Sequence, residues 1–281
     1  MIKMYKKMVE DDEMDNKISD NNVPLPKAFI KLGKSKYMYN YIKNGEIRFS
    51  PAKVFTSMEE GNDKIADIYE GSLNYPISHL VIAPIIGESE NGTPIYGKVS
   101  KIADKGRLRW TNTALQTIPF HCLYCYEKPP INSVIRLENY DDIVSEFPDY
   151  DSAVIIYNVT EFLNRIKTKF EIYCNRVMYT DTTPSESDIE NQIHPLFYKR
   201  KLFEQQKEFR IALPQLRIDE AQNYNIGSIE DIAYCVPLRV LKHGIIIAEN
   251  DDIFEEIKDN CKHSGFLVGG TEHLENNHCM G

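Results

Sequence analysis

The chain has 281 residues, of which 42% are hydrophobic and 27% are charged, as is usual for folded globular proteins. This composition excludes a wholly disordered chain, a collagen-like protein and a disulfide-rich scaffold. The 33 basic and 42 acidic residues leave a net charge of −9. A general, charge-driven nucleic-acid binder is therefore disfavoured, and any contact with nucleic acid must be local.

Targeting signals are not recognisable in the sequence. No run of about 18 apolar residues occurs, so we expect no membrane span and no membrane partner. The first residues lack the apolar core of a signal peptide. The six cysteines are thinly spread, which indicates reduced thiols rather than a disulfide framework. We therefore expect a cytoplasmic protein.

The hydrophobic pattern predicts three segments. Residues 1–23 form a flexible acidic leader, because residues 10–22 are too polar to bury an apolar surface; an acidic interaction tail is the alternative. Residues 24–270 form a single α+β domain, and residues 271–281 a flexible tail. The fold class is a single domain with a mixed, mostly antiparallel sheet of short strands and a few flanking helices.

The predicted domain opens with a strand, a helix and a second strand. Residues 28–32 form the first strand, and Ser35 is the predicted N-cap of a helix that reaches Lys43. Residues 46–50 alternate as a strand does, and Pro51 ends it. The helix has one apolar stripe, formed by Met38, Tyr41 and Ile42.

Loops and further short strands follow. Residues 56–76 are polar and predict a long surface loop with one turn of helix. Residues 79–83 and 94–99 predict a hairpin with its turn near Asn91-Gly92. Strands are also predicted at 118–127, 152–157, 173–179, 208–213, 225–229 and 244–247, and helices at 160–170, in the second half of 194–206, and from Asp251 onward.

Cys122 and Cys125, with His121 beside them, are candidate zinc ligands. No second Cys or His pair lies at zinc-finger spacing. Residues three apart on a strand also point to opposite faces, so both thiols cannot reach one ion. We interpret the two cysteines as buried small hydrophobes and expect no metal site.

Several enzyme classes lack their motifs here. The chain has no Gly-rich phosphate loop, no G-x-S-x-G elbow and no H-E-x-x-H. Kinases, P-loop ATPases, Rossmann dehydrogenases and zincins are therefore disfavoured, and so is a nuclease, since no metal-binding acidic constellation stands out. Basic clusters at 199–201 and 101–109, the latter beside Trp110, are either solvated faces or surfaces for phosphate contacts.

The most informative segment is the strand predicted at 208–213. Gln206, Glu208 and Arg210 are two residues apart and would share one face of it. A row of polar side chains on an inner strand is costly unless the side chains are solvated, paired or functional. A salt-bridged face at a sheet edge and a functional site both explain this pattern.

This order of elements, ending in a strand with Gln-x-Glu, resembles the mono-ADP-ribosyltransferase-like fold. Members of that fold include bacterial toxins and phage-defence enzymes that modify proteins, DNA or RNA. The chain also resembles uncharacterised bacterial and phage proteins with an Asn-Asp loop after the second strand and a closing Glu-x-Arg, here Asn62-Asp63 and Glu208-x-Arg210. The resemblance covers roughly residues 28–213 by order of elements.

The resemblance implies NAD as cofactor and a set of site residues. Glu208, with Gln206 beside it, would stabilise the positive charge that develops on the ribose when the nicotinamide bond breaks. The first strand carries Lys where the family has Arg or His, and Phe49-Ser50-Pro51 only partly echoes the Ser-Thr-Ser run of the family. The implied cofactor-binding residues are Lys31 or Lys34 for the dinucleotide, Ser50 or Tyr37 for nicotinamide, and Arg48 or Arg210 for the pyrophosphate.

The function that this resemblance implies is an NAD-dependent ADP-ribosyltransferase acting in bacterial or phage conflict, as a toxin, a defence factor or a counter-defence factor. Its acceptor is a protein or a nucleic acid, and the sequence leaves that choice open. The alternative is a non-enzymatic interaction factor, such as a phage inhibitor or sensor, that binds a nucleotide or a protein.

Overall fold

The computed structural model describes residues 25–57, 72–77, 80–103, 106–111, 113–181 and 195–263. The strands are β1 (Ala28–Gly33), β2 (Glu46–Pro51), β3 (Ser72–Ile77), β4 (Leu80–Ile82), β5 (Ile85–Glu88), β6 (Pro94–Tyr96), β7 (Ser100–Ala103), β8 (Gly106–Thr111), β9 (Pro119–Tyr126), β10 (Ser133–Ile135), β11 (Ser152–Ile156), β12 (Tyr173–Arg176), β13 (Met178–Tyr179), β14 (Tyr198–Lys199), β15 (Glu208–Ala212), β16 (Gln222–Asn225), β17 (Ala233–Pro237) and β18 (Ile245–Ile247). The helices are α1 (Ser35–Lys43), α2 (Ala52–Ser57), α3 (Thr113–Gln116), α4 (Tyr140–Glu146), α5 (Val159–Lys167), α6 (Val240–His243) and α7 (Asp251–His263), and 3₁₀ helices span Pro195–Phe197 and Lys201–Gln206.

The main sheet has eight strands in the order β12-β15-β9-β1-β11-β17, with β2 and β16 joined at β9. Its strand pairs are antiparallel, whereas the short β13 and β14 pair in parallel. The predicted α+β class, with a mostly antiparallel sheet and flanking helices, is confirmed.

Strand β9 has two partners along one edge. Its C-terminal half pairs with β1, up to the pair of Ile30 with Tyr124. Its N-terminal end pairs with β2, beginning at the pair of Ser50 with Phe120. Within the described ranges, no strand pairs with residues 121–123 along this edge, so the sheet is forked there. On the opposite edge, β15 pairs with β9 without interruption.

Apolar clusters cover both faces of the sheet. One face is buried under α1 and α5, in a cluster that includes Phe29, Phe162 and Phe209. The other face carries two separate clusters. One surrounds Ile30 and α4, and the other surrounds Phe120 and the 3₁₀ helix Pro195–Phe197. A space is therefore left between these two clusters, above the fork.

Helix α1 lies between β1 and β2 as predicted, but its N-terminus is not capped by the predicted residue. The stripe of Met38, Tyr41 and Ile42 is buried, which confirms the predicted core face. Ser35 is not the N-cap. Its backbone N–H donates to Asp151 Oδ1 over 2.6 Å, and its hydroxyl donates to Asp151 Oδ2 over 3.1 Å. The cap comes from a residue that is remote in sequence, which local pattern could not predict.

The N-terminal caps of two other helices also differ slightly in position from the predicted helix starts. Helix α5 begins after Asn158, whose side chain accepts a hydrogen bond from the N–H of Glu161, so the helix starts one residue before the predicted position 160. Helix α7 is capped by Asn250, which accepts from the N–H of Ile253. In both cases an Asn directly before the first turn accepts the unpaired N–H.

The described strands between α2 and α3 form a β-ribbon. Strand β3 pairs with β8, β4 with β7, and β5 with β6. The loop predicted over 56–76 is therefore wrong at 72–76, because ribbon pairing satisfies the backbone of a polar segment; residues 58–71 lie outside the described residues. The predicted turn is confirmed, since Gly92 has a φ of 77° and its N–H donates to Ser89 O over 2.8 Å. The predicted pairing of 79–83 with 94–99 is wrong, because β6 pairs with β5 and β4 pairs with β7. Large apolar side chains are exposed towards the tip of this ribbon: Ile85, Ile86, Ile95, Tyr96 and Val99.

Other predictions have mixed outcomes. Strands β10 and β17 and helix α4 had no predicted counterpart, and the strand predicted at 225–229 lies instead at Gln222–Asn225. The predicted leader, the predicted tail and Asn62-Asp63 lie outside the described residues. Cys122, Cys125, Cys174 and Cys261 form no disulfide, whereas Cys235 is disulfide-bonded, so the expectation of reduced thiols is wrong at Cys235. No helix within the described ranges has the length and apolar character needed to cross a membrane.

The Asp151 cap generates the first prediction. We expect Asp151→Ala to lower the free energy of unfolding by about 1 kcal/mol, because α1 loses its side-chain cap. Urea denaturation of wild type and variant measures this. The matched control is Asp149→Ala, whose side chain is 76% exposed and forms a salt bridge with Lys34; it should cost less than about 0.5 kcal/mol. Equal losses in the two variants would contradict the capping role.

Candidate functional site

A cleft of about 480 Å³ lies above the fork in the sheet. One wall is formed by the apolar cluster around Ile30, Tyr124 and Ile143. The other wall belongs to the cluster that includes Phe120, against which Phe55 packs. Its volume falls within the range of small-molecule sites. The polar side chains of β15 point into the space between the two walls.

All eight residues predicted from the sequence line this cleft. They lie on or next to five elements of the chain and are up to 179 residues apart in the sequence. Lys31 lies on β1 and Lys34 directly after it, Tyr37 lies on α1, Arg48 and Ser50 lie on β2, Gln206 ends the second 3₁₀ helix, and Glu208 and Arg210 lie on β15.

The Glu208 carboxylate is held by two cations, one on each oxygen. Lys199 Nζ donates to Oε1 over 2.7 Å. Arg210 donates to Oε2 from Nε over 2.8 Å and from Nη2 over 2.7 Å. Arg210 is only 1% exposed, also donates to the carbonyl of Leu196, and lies over the ring of Phe120. The carboxylate therefore has a fixed orientation.

The Glu208 carboxylate remains ionised because these cations outweigh its burial. Burial alone would raise its pKa, but Arg210 and Lys199 together hold the pKa of Glu208 well below the usual value of 4.5. The side chain is 11% exposed, so a small part of it reaches the cleft. Since β15 lies between β12 and β9, this is an interior ion pair and not a salt-bridged face at a sheet edge.

Gln206 reaches the same place by a different route from the one predicted. It does not share a strand with Glu208, because it ends a 3₁₀ helix and Lys207 follows in the left-handed region, with a φ of 41°. Its amide nevertheless lies beside Glu208. Lys199 Nζ donates to Gln206 Oε1 over 2.6 Å, and Gln206 Nε2 donates to Glu146 Oε2 over 3.1 Å.

Two side chains form hydrogen bonds to backbone carbonyls at the fork in the sheet. Lys31 Nζ donates to the carbonyl of Cys122 over 3.0 Å, which satisfies a backbone group in the stretch that lacks a strand partner. His121 Nδ1 donates to the carbonyl of Arg48 over 2.9 Å. Its Nε2 then accepts from the hydroxyl of Tyr41 over 3.0 Å. These bonds join β1, β2, β9 and α1 below the cleft.

Burial shifts the pKa values of three groups at the fork in the direction that penalises their charged forms. Burial lowers the pKa of Lys31, although Cys122 and Glu208 oppose this. Burial, followed by the repulsion from Lys31, lowers the pKa of His121 well below 6.5. Burial also raises the pKa of the Cys122 thiol to about 12, so this thiol is not a thiolate near neutral pH.

The cleft is more basic than the protein as a whole. Five basic side chains, Lys31, Lys34, Arg48, Lys199 and Arg210, line it together with two carboxylates, Glu46 and Glu208. Lys34 has a salt bridge with Asp149, and Lys199 and Arg210 have theirs with Glu208. Among the described residues, Lys31 and Arg48 have no carboxylate partner within salt-bridge distance. This leaves an excess of positive charge near β1 and β2.

Sequence reasoning missed four residues that the structure brings to this site. Lys199 belongs to a basic run whose sequence fits either a solvated face or a phosphate-contact surface. The sequence places His121 beside the cysteine pair and Tyr41 on the apolar stripe of α1. Glu146 lies on α4, which was not predicted. No local pattern identifies them, since each acquires its role through contacts between distant elements.

Metal ligands are not grouped in the described part of the chain: no three His, Cys, Asp or Glu side chains converge there. Cys125 packs into the core under α1, and Cys122 lies on the cleft side. The two thiols are therefore on opposite faces of β9, in agreement with the geometric objection to a zinc site.

No family model, no curated protein and no solved structure matches the chain.

The depressed pKa of Glu208 generates a pH prediction. Its folded-state pKa lies below the unfolded value of 4.5, so the unfolded state binds more protons at acidic pH. The free energy of unfolding should therefore fall as pH drops below 4.5, and Glu208→Gln should lose part of this dependence. Urea denaturation between about pH 3 and pH 6 measures the slope. Glu204→Gln, at an exposed position on the same 3₁₀ helix as Gln206, should keep the wild-type slope. An unchanged slope in Glu208→Gln would contradict the paired state of this carboxylate.

Proposed function

We propose that the cleft binds NAD and that the protein is an ADP-ribosyltransferase-like enzyme with Glu208 as its catalytic carboxylate. The observation that carries this proposal is the buried, ionised Glu208 in a basic cleft with an aromatic and apolar lining. The acceptor that receives the ADP-ribose is a protein or a nucleic acid. A role in bacterial or phage conflict follows only from the resemblance of the sequence.

The chemistry assigns Glu208 an electrostatic role. When the bond between ribose and nicotinamide breaks, nicotinamide leaves with the bonding electrons and positive charge develops on the ribose. A carboxylate fixed where water is largely excluded stabilises that charge. A carboxylate offers about four acceptor positions, and Lys199 and Arg210 fill three of them. Within the described ranges, this leaves one position for a ribose hydroxyl or for the developing charge.

The basic side of the cleft suits the pyrophosphate. Arg210 is engaged with Glu208 and with the Leu196 carbonyl, so it is not available for a ligand. Arg48 is exposed on β2. Burial is the main cause that lowers the pKa of Lys31, and the charge of Arg48 adds to this effect, while Glu208 opposes it. An anion bound near both side chains would reduce the repulsion between their charges. Of the two arginines that the sequence suggested, Arg48 is therefore the better phosphate ligand.

Aromatic side chains at the mouth of the cleft suit the planar bases. Phe147 and Tyr150 stack on each other with ring centroids 4.9 Å apart, and both line the cleft. Tyr37 is 56% exposed, so its ring can receive an adenine or a nicotinamide. Stacking on an exposed aromatic face contributes to the binding of any base.

A second candidate function is a non-enzymatic nucleotide-binding protein, an inhibitor or a sensor. The observation that favours it is the engagement of both oxygens of Glu208 by Lys199 and Arg210. If that ion-pair network is purely structural, the cleft still binds an anionic nucleotide through Arg48 and Lys31, but nothing is cleaved. The two functions differ in turnover and not in affinity.

Nicotinamide release tests the enzymatic proposal. We expect the wild type to release nicotinamide from NAD and Glu208→Gln to release it about 100-fold more slowly, because the stabilising charge is lost. The affinity for NAD, read from the rise in melting temperature with ligand, should change much less. Chromatographic detection of nicotinamide measures the rate.

Glu204→Gln is the matched control and should keep the wild-type rate. Circular dichroism establishes that Glu208→Gln is folded at the assay temperature, since this variant leaves two buried cations without a counter-charge. Stabilisation by NAD without nicotinamide release in the wild type favours the binding protein. If NAD neither stabilises the wild type nor yields nicotinamide, the NAD proposal is refuted.

Arg48 supplies a separate prediction about affinity. Arg48→Gln should weaken NAD binding by about 10-fold or more, because a charge-assisted contact to phosphate is lost. Fold stability should be unchanged, since the side chain is exposed and makes no ion pair within the described residues. Calorimetric titration with NAD measures the affinity. The control is Arg239→Gln, an exposed arginine outside the cleft lining; equal affinities for both variants would exclude Arg48 from the phosphate site.

A further inference from the structure

Lys199 is the centre of the polar network in the cleft, although its sequence context is that of a basic surface run. Its ammonium group is buried and donates to both Gln206 and Glu208. It also lies 4.7 Å from the ring centroid of Phe203, a cation–π contact. Lysine is rarely buried without a strong reason, so this position has a specific role.

The bonds of Lys199 determine how two neighbouring side chains are oriented. Because its ammonium can only donate, it fixes the carbonyl oxygen of Gln206 towards itself and the amide nitrogen towards Glu146. It also binds one oxygen of Glu208, while Arg210 binds the other. With both oxygens held, the carboxylate cannot rotate away from the cleft.

We propose that Lys199 is a positioning residue that orients the Glu208 carboxylate and the Gln206 amide for the ligand in the cleft. This inference rests on the proposed function, in which Glu208 acts on the ribose. Lys199 does not touch the reacting atoms. It acts through Glu208, by keeping this carboxylate charged and in place. Arg210 alone holds only one oxygen and leaves the other free to turn.

The charge of Lys199 also affects the titration of Glu208. Together with Arg210 it holds the pKa of Glu208 well below the usual value, and its removal should raise that pKa. The titratable groups that interact with Glu208 come from several elements. The cations are Arg210 on β15, Lys199 on β14 and Lys31 on β1. Cys122 and Cys125 on β9 and Tyr179 on β13 also face it, and their raised pKa values keep them neutral where Glu208 titrates.

Three variants test the proposal. Lys199→Met removes the charge at similar size, Lys199→Arg keeps it, and Lys201→Met is a control at an exposed lysine two residues away. We expect Lys199→Met to lower kcat for nicotinamide release by about 10- to 100-fold, the effect of losing a charge-assisted hydrogen bond. KM for NAD should change far less, and the acidic limb of the pH profile of kcat should move to higher pH. Lys199→Arg should recover part of kcat and the wild-type acidic limb, and Lys201→Met should match the wild type.

A measurement without turnover separates this inference from the proposed function. The carboxyl carbon of Glu208 is followed by NMR against pH in protein labelled at glutamate, with Glu208→Gln to assign the signal. A higher Glu208 pKa in Lys199→Met, but not in Lys201→Met, supports the inference even if the wild type releases no nicotinamide, in which case only the transferase proposal fails. An unchanged Glu208 titration, or an active wild type whose kcat is unaffected by Lys199→Met, overturns it.

If Lys199→Met does not fold, the same titration of Lys199→Arg decides. A Glu208 pKa equal to that of the wild type supports the role of the charge, and a raised Glu208 pKa overturns it.

Discussion

Strand β9 shares one of its edges between two strands, and the site depends on the gap that this leaves. Pairing with β1 stops at Tyr124 and pairing with β2 begins only at Phe120. Buried backbone groups in the gap must find other partners. Lys31 and His121 supply them through their bonds to the carbonyls of Cys122 and Arg48. The same two bonds set the positions of β1 and β2 around the cleft.

The fork also explains why polar side chains can occupy the middle of this sheet. On one face the core is continuous under α1 and α5. On the other face the apolar cover is divided into two clusters, and Glu208 and Arg210 of β15 lie between them. An ion pair in a closed core at this place would cost free energy that hydrophobic packing would not. In a cleft, the same ion pair remains accessible to a ligand while most of it stays out of water.

The network around Glu208 has both a structural and a chemical consequence. It joins β14, β15, the 3₁₀ helix before β15 and α4 through Lys199, Arg210, Gln206 and Glu146. Removing one member leaves the others charged or polar and buried, so stability suffers along with any activity. For this reason the two effects must be separated by measurement. Polar groups that are retained at such a cost are common at functional sites.

The sequence by itself determined the α+β class, the strand–helix–strand opening, the buried stripe of α1 and the alternation of β15, because these depend on local periodicity and on residues such as Pro51 and Gly92. It also identified eight polar and aromatic residues that the structure brings into one cleft. Only the tertiary structure decided that Asp151 caps α1, that Gln206 reaches Glu208 from a helix rather than from the strand, and that Lys199 binds both. These contacts join residues that are distant along the chain or separated by a turn, and no periodic pattern encodes them. The strand pairing in the ribbon at 72–111 was decided in the same way, since a two-stranded ribbon needs no buried face and so leaves little hydrophobic pattern in its sequence.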